Sequence, residues 1–305
     1  MEIDQSILVV GGSGFLGSSF VKKALNHGYS VDIISKNKIA LKQSDVNYIV
    51  ADISDKSTLN ESIRKKKYDY VVNFGGYIDH SDLDHGGQEV LEAHFLGVKN
   101  LTEFFKNSNL RGFIQIGSSD EYGSNASPIK ESDRELPFSI YSFAKVAATK
   151  FLQTLYITEN FPVVIVRPFL IYGPGQKRNR FLPYVIDNCL NDNSFKATNG
   201  EQIRDFCYID DFLEALFLCI KKSFFSGEVL NIASGQPRTI KSVINQIVQY
   251  AGGGYPQFGK LDYRVGENME LYANIKKAEL ILDWTPKINF EDGLIRTISW
   301  YKEND

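Results

Sequence analysis

A tyrosine and a lysine in the middle of this chain have the types and spacing needed to move a proton. Tyr141 and Lys145 are four residues apart, so on a helix they lie on one face. An ammonium beside a phenol stabilises the phenolate and lowers the phenol pKa from its ordinary value of about 10. The pair predicts a tyrosine that exchanges protons near neutral pH, although the same spacing also occurs on ordinary amphipathic helices.

A second hydroxyl could hold the same substrate oxygen. The apolar run that ends at Ile116 reads as a short strand, and Gly117, Ser118 and Ser119 follow it. A strand that runs into a turn carries the next side chains to the edge of its sheet. Either serine could therefore donate a hydrogen bond to the oxygen that Tyr141 protonates.

The start of the chain has the elements of a cofactor site. The apolar run at residues 7–10 is followed by the glycine-rich segment GGSGFLG at residues 11–17, and then by apolar residues at helical spacing. Strand, glycine turn and helix in this order are typical of a dinucleotide-binding site, where free backbone amides and the helix N-terminus receive a pyrophosphate. The glycines fit both G-x-G-x-x-G from Gly12 and G-x-x-G-x-x-G from Gly11.

Seven motifs occur in the order found in one enzyme family. They are GGSGFLG (11–17), DI (52–53), GSSDEYG (117–123), YSFAK (141–145), RP (167–168), YGPGQ (172–176) and RDFCYIDD (204–211). With these motifs, essentially the whole chain resembles the extended short-chain dehydrogenases/reductases of the NAD-dependent epimerase/dehydratase family, which act on nucleotide sugars. Within that family the resemblance is greatest to NDP-4-keto-6-deoxyhexose reductases.

The resemblance implies an α/β fold, a Rossmann-type doubly wound parallel sheet with a smaller C-terminal substrate lobe. Residues 1–170 and about 206–231 are predicted to form the NAD(P)-binding domain, and about 171–205 and 232–305 the nucleotide-sugar-binding lobe. Apolar runs predict strands at residues 31–34, 48–53, 68–74 and 161–167. Apolar positions at helical spacing predict a helix over residues 93–104.

The composition is that of an ordinary globular protein, with 305 residues, 43% hydrophobic and 23% charged. The formal charge of -3 provides no basic field for nucleic acid. No early apolar stretch follows a basic segment, and none approaches the roughly 18 residues of a membrane span. These features predict a cytoplasmic protein without a membrane partner, and the resemblance implies a homodimer.

No metal site is predicted. The three cysteines are widely separated in the sequence, which does not suit a zinc site or a disulfide framework. His80 and His85 lie near two aspartates in a polar, glycine-flanked segment, which reads as a loop rather than a ligand set. His94 stands where relatives usually have asparagine, and no chemistry is predicted for it.

The resemblance also implies the cofactor contacts. Asp52 would reach the adenine, and Lys145 would hold the nicotinamide ribose. Ser35, with Lys36 behind it, stands where NAD enzymes commonly have a carboxylate. A hydroxyl and a cation suit a 2′-phosphate, so the sequence favours NADP, with NAD as the alternative. The implied cofactor-binding residues are Gly11, Gly14, Phe15, Leu16, Gly17, Ser35, Lys36, Asp52, Ile53, Phe74, Gly75, Tyr141, Lys145 and Pro168.

Substrate contacts are implied in the same way, with a nucleotide-diphosphate sugar as the partner. A gap-free match to the family's Ser/Thr-x-x-x-Tyr-Gly ending favours Ser118 over Ser119 as the catalytic hydroxyl. Arg204 and Arg264 occupy the family's phosphate-binding positions, where planar guanidinium groups match a diphosphate. The implied substrate-binding residues are Ser118, Ser119, Asp120, Asn179, Arg204 and Arg264.

With Ser118, Tyr141 and Lys145 as catalytic residues, two reactions stay open. One is oxidation or reduction at C4 of the sugar in surface-polysaccharide sugar biosynthesis, which the resemblance to ketoreductases favours. The other is C4 epimerisation, which needs the same residues. Asp120 could mimic the acid of 4,6-dehydratases but is one methylene shorter, and the Cys and His of fucose-synthase-type epimerases are absent. A non-catalytic protein of this fold is disfavoured because both Tyr141 and Lys145 are present.

Overall fold

The computed structural model describes residues 5–38, 45–63, 66–264 and 266–304. The strands are β1 (Ser6–Val10), β2 (Ser30–Ser35), β3 (Val46–Val50), β4 (Tyr70–Asn73), β5 (Gly112–Ile116), β6 (Val163–Pro168), β7 (Leu170–Tyr172), β8 (Ser194–Lys196), β9 (Ile203–Tyr208), β10 (Val229–Ile232), β11 (Pro237–Thr239), β12 (Tyr255–Gln257) and β13 (Glu270–Leu271). The α-helices are α1 (Phe15–Asn26), α2 (Lys56–Ile63), α3 (Gly87–Leu91), α4 (Gly97–Phe105), α5 (Ile140–Glu159), α6 (Phe181–Leu190), α7 (Ile209–Lys221), α8 (Ile240–Ala251), α9 (Lys276–Leu282) and α10 (Phe290–Glu303). None of the helices in these ranges is long and apolar enough to cross a membrane.

The largest sheet is the predicted parallel one. The described residues form seven strands in the order β10-β6-β5-β4-β1-β2-β3, and β6, β5, β4, β1, β2 and β3 pair in parallel. Strands such as β5 and β4 are buried along their whole length. Burial on both faces explains why these strands are mainly apolar without alternation, and their two buried amides are paired, Asn73 Nδ2 donating to Gln115 Oε1 at 2.9 Å.

Helices cover both faces of this sheet. Leu8 and Val10 of β1 belong to a core that includes buried residues of α2, α4 and α5. Ile7 alternates with them and is also fully buried, so it points to the opposite face. Phe20 of α1 stacks on Phe217 of α7 with ring centroids 4.8 Å apart. The arrangement confirms the doubly wound fold predicted from the sequence.

The chain divides into two compact units. Unit 1 comprises Met1–Gly123, Arg134–Arg167 and Leu216–Leu230, and unit 2 comprises Ser124–Asp133, Pro168–Ala215 and Asn231–Asp305. Unit 2 has its own small sheet, in which β9 pairs with β11, β13 and β7. Its aromatic core includes Tyr172, whose hydroxyl donates to the carbonyl of Phe290 at 3.1 Å. The assignment of cofactor and nucleotide sugar to separate parts of the chain stays a prediction.

The predicted strands occur with shifted ends. The strand expected at 48–53 is β3, which ends at Val50, and the one expected at 161–167 begins at Val163. The helix expected at 93–104 lies within a longer helical segment, in which a π-helical turn (Glu92–Leu96) joins α3 to α4. A π turn inside an α-helix is a local departure that apolar spacing cannot predict.

Candidate active site

The turn after β5 holds both candidate serines. Ser118 is the N-cap of a short 3-10 helix (Ser119–Tyr122), and its hydroxyl accepts the backbone N–H of Asp120 at 3.1 Å. Glu121 completes a capping box, because its Oε1 accepts the backbone N–H of Ser118 at 2.8 Å. Ser118 and Ser119 are both buried. One bond therefore fixes the backbone of Ser118 and the other fixes its hydroxyl.

Tyr141 and Lys145 lie in the first two turns of α5. Ser139 is the N-cap of this helix, and its hydroxyl accepts the backbone N–H of Ser142 at 3.2 Å. Both Tyr141 and Lys145 are buried, and the Lys145 Nζ lies 5.9 Å from the centre of the Tyr141 ring. Lys145 Nζ also donates to the carbonyl of Ile116 at the end of β5, at 2.8 Å. This bond ties the helix of Tyr141 to the strand that leads into Ser118.

Burial changes the acidity of the lysine. Removing an ammonium from water favours its neutral form. Burial accordingly lowers the pKa of Lys145 to about 8, and the carboxylates of Glu121 and Asp120 oppose part of that shift. Lys145 is thus a cation that can lose its proton in a mildly alkaline solution.

Two imidazole rings flank Tyr141. The His94 ring centre is 5.1 Å from the Tyr141 ring centre, and the His80 ring centre is 5.4 Å away, both with nearly perpendicular planes. His94 lies in the π turn and is buried. Its Nε2 bonds to the carbonyl of Tyr77 at 2.8 Å, so Nε2 carries the proton. Burial, with Lys145 adding to the effect, lowers the pKa of His94 to about 3.

His80 has a more open environment than His94. About 36% of its side chain is exposed, and its Nε2 lies 3.7 Å from Oδ2 of Asp120. Its Nδ1 lies 3.2 Å from the hydroxyl of Ser139, and its ring stacks on that of Phe138. These contacts hold the ring at the rim of a cavity of about 380 Å³ lined by His80, Ser81, Asp82, Leu83, Pro137, Phe138, Ser139 and Ile140.

A buried ionic network lies under the serine turn. The fully buried guanidinium of Arg167 bonds through Nη2 to Oε2 of Glu121 at 2.6 Å and to Oε1 of Glu135 at 3.0 Å. Glu121 Oε2 also accepts from the hydroxyl of Thr149 at 2.8 Å. Lys150 pairs with Glu135 at 2.8 Å. Glu121 is therefore bonded at both carboxylate oxygens, one to the network and one to Ser118.

The glycine segment has the shape that a dinucleotide needs. Gly11 adopts φ +74°, and a Cβ there would meet Phe74 and Gly75 backbone atoms at 3.0 Å. A Cβ on Gly17 would lie 2.3 Å from the Gly11 carbonyl oxygen. Helix α1 begins after Gly14 with no side-chain cap, so its first amides can bind an anion. This backbone cradle, which side chains would fill, fits an NAD-type pyrophosphate, and the neighbouring Phe15, Leu16 and Ile53 belong to the same predicted set.

Ser35 and Lys36 lie at the end of β2, as predicted. The Lys36 Nζ pairs with Oδ2 of Asp52 at 2.8 Å, and the Ser35 hydroxyl is 3.5 Å from that of Ser13. Partial burial alone would raise the pKa of Asp52, but hydrogen bonds from Lys36 and Ser54 outweigh it and hold the pKa below its usual value. Lys36 and Asp52, which both belong to the predicted cofactor-binding residues, are thus paired with each other.

The remaining predicted residues lie in unit 2. Pro168 ends β6, and Asn179 lies in an exposed turn. Arg204 donates to the carbonyl of Ile203 at 2.8 Å and pairs with Glu267, whereas Arg264 is exposed. The β9–β11 ladder places Arg238 directly opposite Arg204. Glu267 offsets part of the charge of Arg204, and the guanidinium of Arg238 lies over the Phe290 ring, 4.8 Å from its centre. Arg238 is a cationic neighbour of Arg204 that the sequence alone did not suggest.

Sequence reasoning also missed His80, His94 and the Glu121–Arg167 pair. The helical period of residues 93–104 was visible, but no spacing links His80 to Tyr141. The only sequence signal for any of these residues was that His94 stands where relatives usually have asparagine. Across the ranges that the structure describes, no group of three or more His, Cys, Asp or Glu side chains could hold a metal ion.

Comparison with known proteins gives the wider relationship. The NAD dependent epimerase/dehydratase family matches residues 7–233. The low-salt glycan biosynthesis protein of Haloferax volcanii is 26% identical over 98% of this chain and 99% of its own length. The dTDP-glucose 4,6-dehydratase of Haemophilus influenzae is 27% identical, with 98% of each chain covered.

A solved structure agrees with this relationship. It is a mutant UDP-glucuronic acid 4-epimerase from Bacillus cereus in complex with UDP-4-deoxy-4-fluoro-glucuronic acid and NAD, with a TM-score of 0.87 and 25% identity. The similarity covers 98% of this chain and all of that one. The family match spans well over half of the sequence, and the parallel sheet contains the Rossmann strand order 3-2-1-4-5-6. The chain belongs to the NAD dependent epimerase/dehydratase family, and it is an enzyme of the extended short-chain dehydrogenase/reductase type.

Proposed function

We propose that this enzyme is an NAD(P)-dependent oxidoreductase that acts at C4 of a nucleotide-linked sugar, as a 4-keto reductase or a 4-dehydrogenase. The observation that carries the proposal is the bond from Lys145 Nζ to the Ile116 carbonyl. It joins the helix of Tyr141 to the strand that leads to Ser118. The three side chains expected for this chemistry thereby come from two elements that are bonded to each other.

Each of these residues has a defined role in the proposal. The Ser118 hydroxyl donates a hydrogen bond to the C4 oxygen, and Tyr141 transfers the proton to or from that oxygen. Lys145 holds its positive charge near the phenol and favours the phenolate. When bound, the dinucleotide supplies or accepts the hydride. The backbone from Gly11 to Gly17 holds its pyrophosphate.

The substrate is proposed to be a nucleoside diphosphate sugar. Arg204 and Arg264 bind its phosphates, and Arg238 adds a third guanidinium on the face that it shares with Arg204. The Bacillus cereus relative was solved with a UDP-sugar, which supports this class of substrate. NADP is favoured over NAD by Ser35 and Lys36, although that relative holds NAD. A cytoplasmic location and a homodimer also stay predictions.

A 4-epimerase is the second candidate. The specific observation in its favour is the similarity, at 25% identity, to a UDP-glucuronic acid 4-epimerase. The same Ser, Tyr and Lys would serve both reactions, because an epimerase also oxidises and reduces C4. The difference lies in whether the cofactor is consumed.

The test runs three substrates side by side with the purified protein: a nucleotide hexose, its C4 epimer and a nucleotide-linked 4-keto-6-deoxyhexose, each as the UDP and the dTDP form. A reductase consumes about one reduced cofactor per keto sugar and gives a single C4 alcohol. An epimerase interconverts the two hydroxy sugars without net change in cofactor absorbance. A dehydratase makes the keto sugar from the hexose with no added reductant. Product without matching cofactor turnover would rule out the redox proposal.

A further inference from the structure

Net redox chemistry at Tyr141 requires an exchange of protons with solvent. Reducing a C4 ketone to an alcohol adds a hydride from the cofactor and one proton, so Tyr141 must regain a proton in every turnover. Tyr141 and Lys145 are only 4% and 5% exposed. Lys145 Nζ uses one of its protons in the bond to the Ile116 carbonyl and is as buried as the phenol. A more exposed group beside Tyr141 is therefore the better candidate for exchanging protons with solvent.

Of the two rings that flank Tyr141, His94 does not suit this task. It is 3% exposed, and its Nε2 proton is held by the Tyr77 carbonyl. Its Nδ1 is buried and has no hydrogen-bond partner among the described residues. Burial beside Lys145 keeps this ring neutral well below pH 7. His94 packs against the phenol but does not bring protons from outside.

His80 has the properties that His94 lacks. Its ring contacts the Tyr141 ring at 5.4 Å between centres, and about a third of its side chain is exposed. The Asp120 carboxylate lies 3.7 Å from Nε2. The Ser139 hydroxyl, 3.2 Å from Nδ1, fixes the ring orientation. Histidine is the side chain that most readily gains and loses a proton at physiological pH.

We propose that His80, oriented by Asp120 and Ser139, carries protons between solvent and Tyr141. In the reducing direction, the imidazolium gives a proton to the phenolate oxygen, directly or through one water molecule or substrate hydroxyl, and the neutral ring regains a proton from solvent. No bond to carbon changes in this step, and the hydride still comes from the cofactor. In the oxidising direction, the proton moves the other way. The inference rests on the proposed redox function, because an epimerase returns its proton to the same sugar.

The test is chemical rescue of His80→Ala, with reduced cofactor and whichever keto sugar the unmodified enzyme reduces. The kcat should fall on the order of 10-fold to 100-fold, with KM and the cofactor Kd little changed. Free imidazole should restore kcat in proportion to its concentration, because it can occupy the space left by the ring and carry the proton. His80→Gln should show the same loss, since glutamine can bond to Asp120 or Ser139 but does not titrate.

Two controls separate proton transfer from positioning. His85 lies in the same segment and pairs with Asp82 at 2.6 Å, but both are exposed, so His85→Ala should leave kcat unchanged and insensitive to imidazole. Ser139→Ala removes the contact to Nδ1 and the N-cap of α5. If it reproduces the loss and imidazole does not rescue His80→Ala, His80 acts on the helix and the inference is wrong.

The outcomes also distinguish this inference from the proposed function. An unmodified enzyme that consumes cofactor, together with a His80→Ala variant of equal kcat, would overturn the inference and leave the function standing. An unmodified enzyme that interconverts sugars without consuming cofactor would overturn both. A loss that imidazole restores supports the inference.

Discussion

Glu121 accepts the backbone N–H of Ser118 through Oε1 at 2.8 Å, while its Oε2 pairs with the fully buried guanidinium of Arg167 at 2.6 Å. One carboxylate therefore connects the turn of the candidate catalytic serine to a charge in the interior of unit 1. Glu121 itself is fully buried. A buried ion pair of this kind adds little net stability over an apolar pair, but removing one partner leaves the other charge uncompensated.

The first prediction concerns the stability of this network. Glu121→Gln should lower the free energy of unfolding by about 3 kcal/mol, because Arg167 would keep only Glu135 as an anionic partner. Urea unfolding measures this change. Glu159→Gln is the matched control, since Glu159 forms an exposed pair with Lys106 at 3.7 Å and should change stability by less than about 0.5 kcal/mol. Equal effects of the two substitutions would show that the buried network does not stabilise the turn.

The second prediction ranks the two serines. Ser118→Ala should lower kcat more than Ser119→Ala, because the motif match and the capping geometry place Ser118 at the start of the turn. Tyr141→Phe provides the reference, with a loss of about 100-fold or more and nearly unchanged cofactor binding. Steady-state kinetics with circular dichroism as a folding control measure these effects. The reverse ranking would move the hydroxyl role to Ser119.

The third prediction tests the cofactor preference. If Ser35 and Lys36 receive a 2′-phosphate, NADP should bind more tightly than NAD, and Ser35→Asp should reverse the order through charge repulsion and new bonds to the ribose hydroxyls. Titration of both cofactors against both proteins measures this. Asp52→Asn keeps Ser35 and removes the charge that pairs with Lys36. Any loss of an adenine contact of Asp52 affects both cofactors alike, so the ratio of the NADP and NAD affinities reports on Lys36. Tighter NAD binding by the unmodified protein would contradict the prediction.

Local sequence patterns predicted most of the fold. The surroundings of Tyr141 and Ser118 are formed by residues that are far apart in the sequence, which local patterns do not predict. The strand, glycine turn and helix at the N-terminus follow from steric rules that act over a few residues, and the structure shows them at Gly11 and Gly17. Tyr141 and Lys145 were recognisable because helical geometry fixes their spacing. Arg167 and Glu121 are 46 residues apart, and no periodicity connects residues brought together only by neighbouring strands.

The histidines illustrate the same limit in a different way. The sequence indicates a loop for the segment of His80 and His85 and treats the two residues alike, whereas the structure has irregular chain at His80 and a 3-10 helix at Leu83–His85. Only the structure distinguishes them, since His80 contacts Tyr141 and His85 pairs with Asp82 at the surface. His94 was visible as a departure from asparagine, but its π turn and its burial were not.

The fourth prediction uses the buried, neutral state of His94. Its pKa is about 3 in the folded protein, against an ordinary value of 6.5, so between these values the unfolded chain binds the extra proton. The contribution of neutral His94 to the free energy of unfolding should therefore be fully present above pH 6.5. The free energy of unfolding should fall on acidification, by about 2 kcal/mol at pH 5. His94→Leu should reduce this slope, whereas His85→Ala should not. Urea unfolding at several pH values measures it, and an unchanged slope in His94→Leu would contradict the prediction.

The fifth prediction concerns the charge of Lys145. Its pKa is lowered to about 8 by burial, so the ammonium is present below that pH and is lost above it. Because the proposed roles of Lys145 need the cation, kcat/KM should fall as the pH rises through about 8 in the unmodified enzyme.

A phenol at position 141 could also titrate in this range, so the decisive measurement removes it. In Tyr141→Phe, the cofactor Kd should still rise as the pH passes about 8, because the ribose hydroxyls lose their hydrogen bonds to the ammonium. Isothermal titration calorimetry between pH 6 and pH 10 provides the cofactor Kd values. Lys145→Met should bind the cofactor weakly at every pH, since it has no charge to lose. A Kd in Tyr141→Phe that stays constant across the whole range would show that Lys145 does not hold the cofactor through its positive charge.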